Sequence, residues 1–268
     1  MERDLARSKL TAFGGHLLAS AAAAAVLVWL FMKKWFPMPY FVADGGWQGV
    51  RLIAAVDVVL GPVLSLVVYN PRKSRRALLL DYAVIGCFQL AAMGFGLWTV
   101  YTQRTALVVF GDGAFYTVTA DQMAFVGQAA AEVAQKSPGR PAYAYIRLPD
   151  DPEEVQAIRR QALATGVPVH LRADLMEPLD RNGLERIAAH SVDLATQIQG
   201  LEPYRRALRR FLERRGLAPD EVLFFPLFCR YRSLTIAFRP GDPAPAGWLP
   251  IPFGPGRRVE PPADERTR

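Results

Sequence analysis

The sequence predicts a membrane protein of three transmembrane α-helices followed by an α+β extracytoplasmic domain with a mainly antiparallel sheet. Three observations predict it. Residues 1–104 hold three long apolar runs, at about 14–36, 48–69 and 78–101, and a helix needs about 20 such residues to cross a bilayer core. Residues 105–253 instead mix polar and apolar residues as a water-exposed domain does. The charge divides at the same place: residues 1–104 carry 11 Lys/Arg against 5 Asp/Glu, and residues 105–268 carry 21 against 20. The net charge of +7 therefore flanks the apolar runs, a pattern of membrane topology rather than of nucleic-acid binding.

The first run reads HLLASAAAAAVLVWLFMKKWF. Lys33 and Lys34 interrupt its end, but their ammonium groups can snorkel to the headgroups. Trp35 and Phe36 then suit the interface, and Pro37 and Pro39 end the helix. MKKWFPMP follows the run where a signal peptide would show a small-residue cleavage site, so an uncleaved span is expected. Between the second and third runs lies NPRKSRRA, and Arg72, Lys73, Arg75 and Arg76 keep such a short loop in the cytoplasm. Arg3, Arg7 and Lys9 place the N-terminus on the same side, so the chain from about residue 104 onward is expected outside. Lys33, Lys34 and Arg51 oppose this assignment only weakly. The expected topology is therefore multi-pass, with a cytoplasmic N-terminus and the C-terminal domain on the opposite side of the membrane.

The second run, containing AVDVVLGPVLSLVVY, carries a carboxylate, Asp57, and a proline, Pro62. A charge there costs at least about 2.5–3.5 kcal/mol, so a partner is required. Asp57 lies about 12 residues from Tyr69, roughly 18 Å in depth, and Gln89 lies about 11 residues from Leu78, roughly 17 Å. A hydrogen bond between them would satisfy both on neighbouring antiparallel helices. Pro62 removes a backbone donor and loosens the helix beside Asp57, and Gly61 allows close approach. Asp57, Gln89 and Pro62 are thus the candidate intramembrane polar or partner-binding residues. Their role is either interhelical glue or recognition of a partner helix; a proton relay would need a chain of ionisable groups.

In the outer domain, ALVVFGDGAFYTVT predicts a hairpin turning at GDG. Residues 121–136 predict a helix and AYAYIRL a strand. Asp150 or Asp151 caps the helix that follows, with Pro152 in its first turn, Glu153 and Glu154 favouring its dipole, and Gly166 at its end. These clustered acids are therefore read as helix-starting residues. Residues 182–199 and 202–215 predict helices, the second with six arginines over much of its surface. Residues 222–239 predict two strands, WLPI a last short one, and the proline-rich, charged segment 254–268 a disordered tail.

No P-loop, HExxH or GxSxG motif appears. His170 and His190 lack metal-ligand spacing, and Cys87 and Cys229 lie too far apart in context to form a disulfide. No enzyme activity, cofactor or metal is expected.

KLTAFGGHLLAS, ADGGWQGVRLIAAVDVVLGPVLSLVVYNPRKS, LDYAVIGCFQLAAMGFGLWTVY and RLPDDPEE resemble type IV pilin accessory proteins of the TfpX/TfpZ type. The likeness covers the three apolar runs and the first part of the outer domain, and weakens toward the C-terminus. The resemblance implies a multi-pass protein of a bacterial inner membrane, with its N-terminus cytoplasmic and its C-terminal domain periplasmic, that holds or stabilises its cognate major pilin, in a chaperone-like step, for pilus assembly. It implies no cofactor and supplies no binding residues. Its expected partners are that pilin and the lipid bilayer. Ala19 and Ala21–Ala25 offer a small-residue surface on which a foreign helix could pack. The competing expectation is an envelope sensor or transport accessory protein whose outer domain binds a ligand.

Overall fold

The computed structural model describes residues 2–55, 63, 74–137 and 139–262. Contacts divide the chain into two compact units, Met1–Arg104 and Thr105–Arg268.

The first unit is helical where it is described. α1 runs Glu2–Leu30 and passes into a π-helical turn, Phe31–Trp35. The Phe36 amide closes that turn on the Phe31 carbonyl at 2.7 Å. α2 (Tyr40–Ala43) and α3 (Gly46–Ile53) follow. α4, Arg75–Thr102, starts at the Ser74 cap, whose hydroxyl accepts from the Ala77 amide. Among the described residues two segments, Phe13–Trp35 and Arg75–Thr102, are long and apolar enough to cross a membrane, and only 6 % of each apolar window is buried within the protein. The predicted second span, 48–69, begins in α3, and most of it lies outside the described residues, as do Asp57 and Pro62.

The second unit is a mixed sheet covered on both faces. Among the described residues its strands are β1 (Thr105–Gly111), β2 (Ala114–Thr119), β3 (Ala142–Ile146), β4 (Met176–Pro178), β5 (Leu223–Phe228), β6 (Ser233–Phe238) and β7 (Pro245–Leu249). They lie in the order β4-β3-β1-β2-β5-β6-β7. Four neighbouring pairs are antiparallel, and β1–β3 and β2–β5 are parallel. The β1–β2 hairpin turns at Asp112 and Gly113, both at positive φ (54° and 85°), as a two-residue hairpin turn requires.

Strand alternation separates two packed faces. On one, Leu107, Val109 and Val118 meet Ala130 and Val133 of α6 (Gln128–Lys136), which follows α5 (Ala120–Val126). Farther along this face, Phe224, Ala237 and Leu249 meet Leu208 and Phe211 of the arginine-rich helix Glu202–Arg215. The opposite face holds an aromatic cluster of Phe110, Phe115, Phe225, Phe238 and Tyr143, with ring centroids 5.2–6.5 Å apart.

The local signals for the helix after β3 act as expected. α7, Pro152–Thr165, starts where Asp151 Oδ1 accepts from the Glu153 amide at 2.9 Å, and ends at Gly166 with φ 70°. Two helices differ from the sequence reading. The helix expected at 121–136 breaks at Gly127 (φ 98°) into α5 and α6. That expected at 182–199 is instead α8 (Arg181–Ile187), a 3-10 turn at Ala188–His190 and α9 (Leu194–Gln197). The intervening chain bonds to β5: the Phe224 amide donates to Ser191 Oγ, and the Val192 amide donates to the Phe224 carbonyl. The arginine-rich helix itself, hereafter α10, spans Glu202–Arg215.

The segment expected to be disordered from Gly254 is folded as far as it is described. Phe253 is buried and bridges Val259, and the Val259 amide donates to Gln197 Oε1 at 3.0 Å. These contacts outweigh the proline-rich composition.

Candidate functional site

The most specifically built feature of the first unit is the turn around ADGGWQG, residues 43–49. Gly45 adopts φ 109°, a left-handed conformation that a side chain would strain. A Cβ at Gly46 would lie 2.6 Å from Phe41 Cδ2 and 2.9 Å from the Phe41 carbonyl oxygen, and one at Gly49 would lie 2.7 Å from Val100 Cγ2. Glycine at 46 lets α3 fold tightly against α2, and glycine at 49 lets α3 approach α4.

Aromatic packing fixes the surroundings. Phe31 stacks on Trp35 at 4.9 Å, and Trp35 meets Tyr101 edge-on at 5.3 Å. Phe36, Tyr40, Phe41 and the short acid Asp44 are buried. Trp47 turns outward, 46 % exposed, with its ring beside Phe41 and the Arg51 guanidinium 5.4 Å from its centroid. Met38, Val42, Leu52 and Tyr101 are exposed as well. The arrangement is a rigid turn presenting apolar and aromatic side chains, which suits contact with lipid or another protein.

Of the sequence-predicted site residues, Gln89 is described: it lies half-buried in the middle of α4. Its expected pairing with Asp57, and the loosening expected at Pro62, lie outside the described residues. The turn itself, the buried Asp44 and the outward Trp47 are not visible in a run of apolar letters.

Among the described residues no group of three or more His, Cys, Asp or Glu side chains could hold a metal ion. Among the described residues Cys87 and Cys229 are not joined in a disulfide. His190 lies 5.7 Å from the Phe110 ring. His170 stacks on Tyr116 at 4.3 Å with 6° between the rings, and Tyr116 stacks in turn on Phe228. Burial of His170 pushes its pKa from 6.5 down to about 4, because the cation would lose its hydration. The same burial raises the Tyr116 phenol above its usual value, and Asp112 adds to the rise. This stack is a neutral packing element.

In class, then, this is a two-unit protein: a helical unit with helices suited to crossing a membrane, and a mixed-sheet unit. A fimbrial assembly protein of serogroups C1 and C2 from Dichelobacter nodosus is 34 % identical over 109 residues, which are 41 % of this chain and 82 % of the relative. Fimbrial assembly proteins of serogroups I and E1 from the same organism are 34 % and 33 % identical over 109 residues, 42 % of each relative. The chain belongs to this family of fimbrial assembly proteins. Its match spans less than half the length of the serogroup I and E1 relatives. No family model matches the chain, and no solved structure matches it.

Proposed function

We propose that the chain is a type IV pilin accessory factor of the TfpX/TfpZ type. It holds or stabilises its cognate major pilin in the inner membrane until assembly, as a chaperone does, without a catalytic step. Three spans anchor it, with the N-terminus cytoplasmic and the unit from Thr105 periplasmic. The observation that carries this reading is the outward apolar surface of the helical unit. Leu18, Val26 and Trp29 on α1, and Leu80, Phe88, Phe95 and Trp98 on α4, are each at least 60 % exposed. An apolar surface of that extent calls for lipid or a partner helix. Family membership supports a role in building fimbriae.

A photocrosslinking residue in place of Trp47 or Phe88 tests the reading in cells. The expected result is a crosslink to pilin, together with loss of pili or of pilin, at unchanged pilin transcription, when the gene is deleted. Normal pili and pilin in the deletion strain would refute it. A reporter active only outside the membrane should work after Thr105 and stay silent at Ser74; the reverse would refute the topology. Asp57→Asn separates its two roles: if charge recognition matters, the crosslink is lost while the protein still accumulates, because an amide can make the hydrogen bond expected with Gln89 but lacks the charge.

A further inference from the structure

α10 concentrates charge in a way the rest of its unit does not. Its 14 residues hold six arginines and two glutamates, while the remainder of residues 105–268 holds 15 basic and 18 acidic residues. Leu208, Phe211 and Leu212 pack one side of the helix into the core. The outward side carries Arg205, Arg206, Arg209, Arg210 and Arg214, all exposed.

Neutralisation within the protein is slight. Arg205 pairs with Glu202 at 3.4 Å, and Arg210 Nε donates to the Arg206 carbonyl. Arg206, Arg210 and Arg214 follow one another at four-residue spacing, so they share a row in which like charges repel. Arg205 and Arg206 also sit in the first turns, at the positive end of the helix dipole. An ordinary solvated face would alternate signs along such a row.

The chemistry of the face selects its partner. Protein-binding surfaces set arginine beside aromatic and aliphatic anchors in a well-packed, desolvated centre. No large hydrophobic residue of α10 is exposed. The shallow groove along it, of about 370 Å³, is lined by Pro203, Arg206, Arg209 and Arg210. A row of guanidinium forks without an apolar centre matches a layer of phosphate groups, each able to accept two parallel hydrogen bonds.

Covalent continuity supplies the surface. β1 starts at Thr105, three residues after α4 ends at Thr102. A domain of this size has a radius of gyration of roughly 15 Å, so tethering to a membrane-crossing helix keeps it at high local concentration near the bilayer.

We infer that the arginine face of α10 docks on anionic lipid, its guanidinium groups taking the lipid phosphates at the surface of the bilayer that anchors the chain. This inference rests on the membrane reading of α1 and α4. Docking of this kind would orient the sheet unit over the membrane, where an embedded partner presents its own outer part.

The test uses the full chain in lipid nanodiscs of phosphatidylcholine, alone or mixed with phosphatidylglycerol. The reaction of individual arginines with phenylglyoxal is followed by mass spectrometry, with the exposed Arg160 on α7 as internal control. Each arginine held at an anionic surface gains roughly fivefold in occupancy. Modification of Arg206, Arg210 and Arg214 should therefore slow by at least that factor in phosphatidylglycerol discs, with Arg160 unchanged. Raised salt should restore the rates, since it shortens the reach of the charges.

Equal rates in the two discs would overturn the inference while leaving the membrane reading in place. Slowing by inorganic phosphate in phosphatidylcholine discs, as strong as that by phosphatidylglycerol, would overturn it in favour of a soluble anion. Slowing only when purified pilin is added would overturn it in favour of an acidic protein face. Failure of the chain to enter either disc would remove the membrane reading, and the inference with it.

Discussion

Phe88 and Phe225 are the same side chain in opposite surroundings. Phe88 stands on α4 with 74 % of its surface exposed, whereas Phe225 stands on β5 with none exposed, inside a ring of Phe110, Phe115 and Phe238. The contrast extends to the two units. The sheet unit buries its apolar residues against its own chain, as water demands. The helical unit spends its apolar residues outward, and its own packing concentrates around the Phe31–Tyr101 aromatic turn. Apolar composition therefore carries two meanings in one chain. In residues 105–262 it encodes a core, and in α1 and α4 it lies on a surface that the described residues leave exposed.

The largest expected effect tests that contrast directly. Phe225→Ala should cost the sheet unit about 3–5 kcal/mol, the range for deleting a buried aromatic ring. Phe88→Ala should leave the unfolding of the sheet unit unchanged and lower detergent-resistant insertion or partner crosslinking instead. Thermal unfolding of the full chain in nanodiscs, with exchange of the Thr105–Arg268 amides followed by mass spectrometry, measures both. Equal destabilisation by the two substitutions would break the comparison.

A second effect belongs to the sheet unit alone. His170 has a folded pKa of about 4, below its ordinary 6.5. The unfolded chain therefore takes up the proton first as pH falls. Stability is full above about pH 6.5 and declines between about 6.5 and 4, by on the order of 2–3 kcal/mol in total. His170→Phe keeps a ring against Tyr116 and removes the titration, so its stability should stay flatter across that window. Chemical denaturation at pH 7 and at pH 4.5 gives the slope for each protein. A wild-type slope matched by the variant would show that His170 does not titrate this way.

Much of this organisation was legible in the sequence, and for physical reasons. The GDG hairpin was legible because positive φ at two adjacent positions has few sequence solutions. The Asp151–Gly166 helix was legible because its cap, its first-turn acids and its terminal glycine are local signals. What stayed hidden depends on distant partners. The break at Ser191–Val192 exists because that backbone bonds to β5, 33 residues on in the case of Ser191 and Phe224. β4 is a three-residue edge strand that exists only by pairing with β3. The folded end at Phe253–Val259 depends on Gln197 and Ser233. In the helical unit the turn at residues 43–49 needs its glycines because of Phe41 and Val100, which no spacing rule names.

The smallest effect separates two glycines of the helical unit. Gly46 is demanded by its own chain, since a Cβ would collide with the Phe41 ring and carbonyl. Gly46→Ala should destabilise the turn by about 1–3 kcal/mol, as overpacking does. At Gly94, inside α4, no described atom outside the neighbouring helix backbone lies within 4 Å of the place its Cβ would occupy. Glycine in a helix interior costs roughly 0.5–1 kcal/mol against alanine. If lipid alone meets that face, Gly94→Ala should therefore strengthen α4 slightly and leave pilin crosslinking untouched. If a pilin helix packs there, the gap serves close approach of two backbones, and the added methyl should lower crosslinking while the protein accumulates as before. Protein level and crosslink yield for Gly94→Ala, measured in the same cells, decide between an outward surface made for lipid and one shaped for a helix.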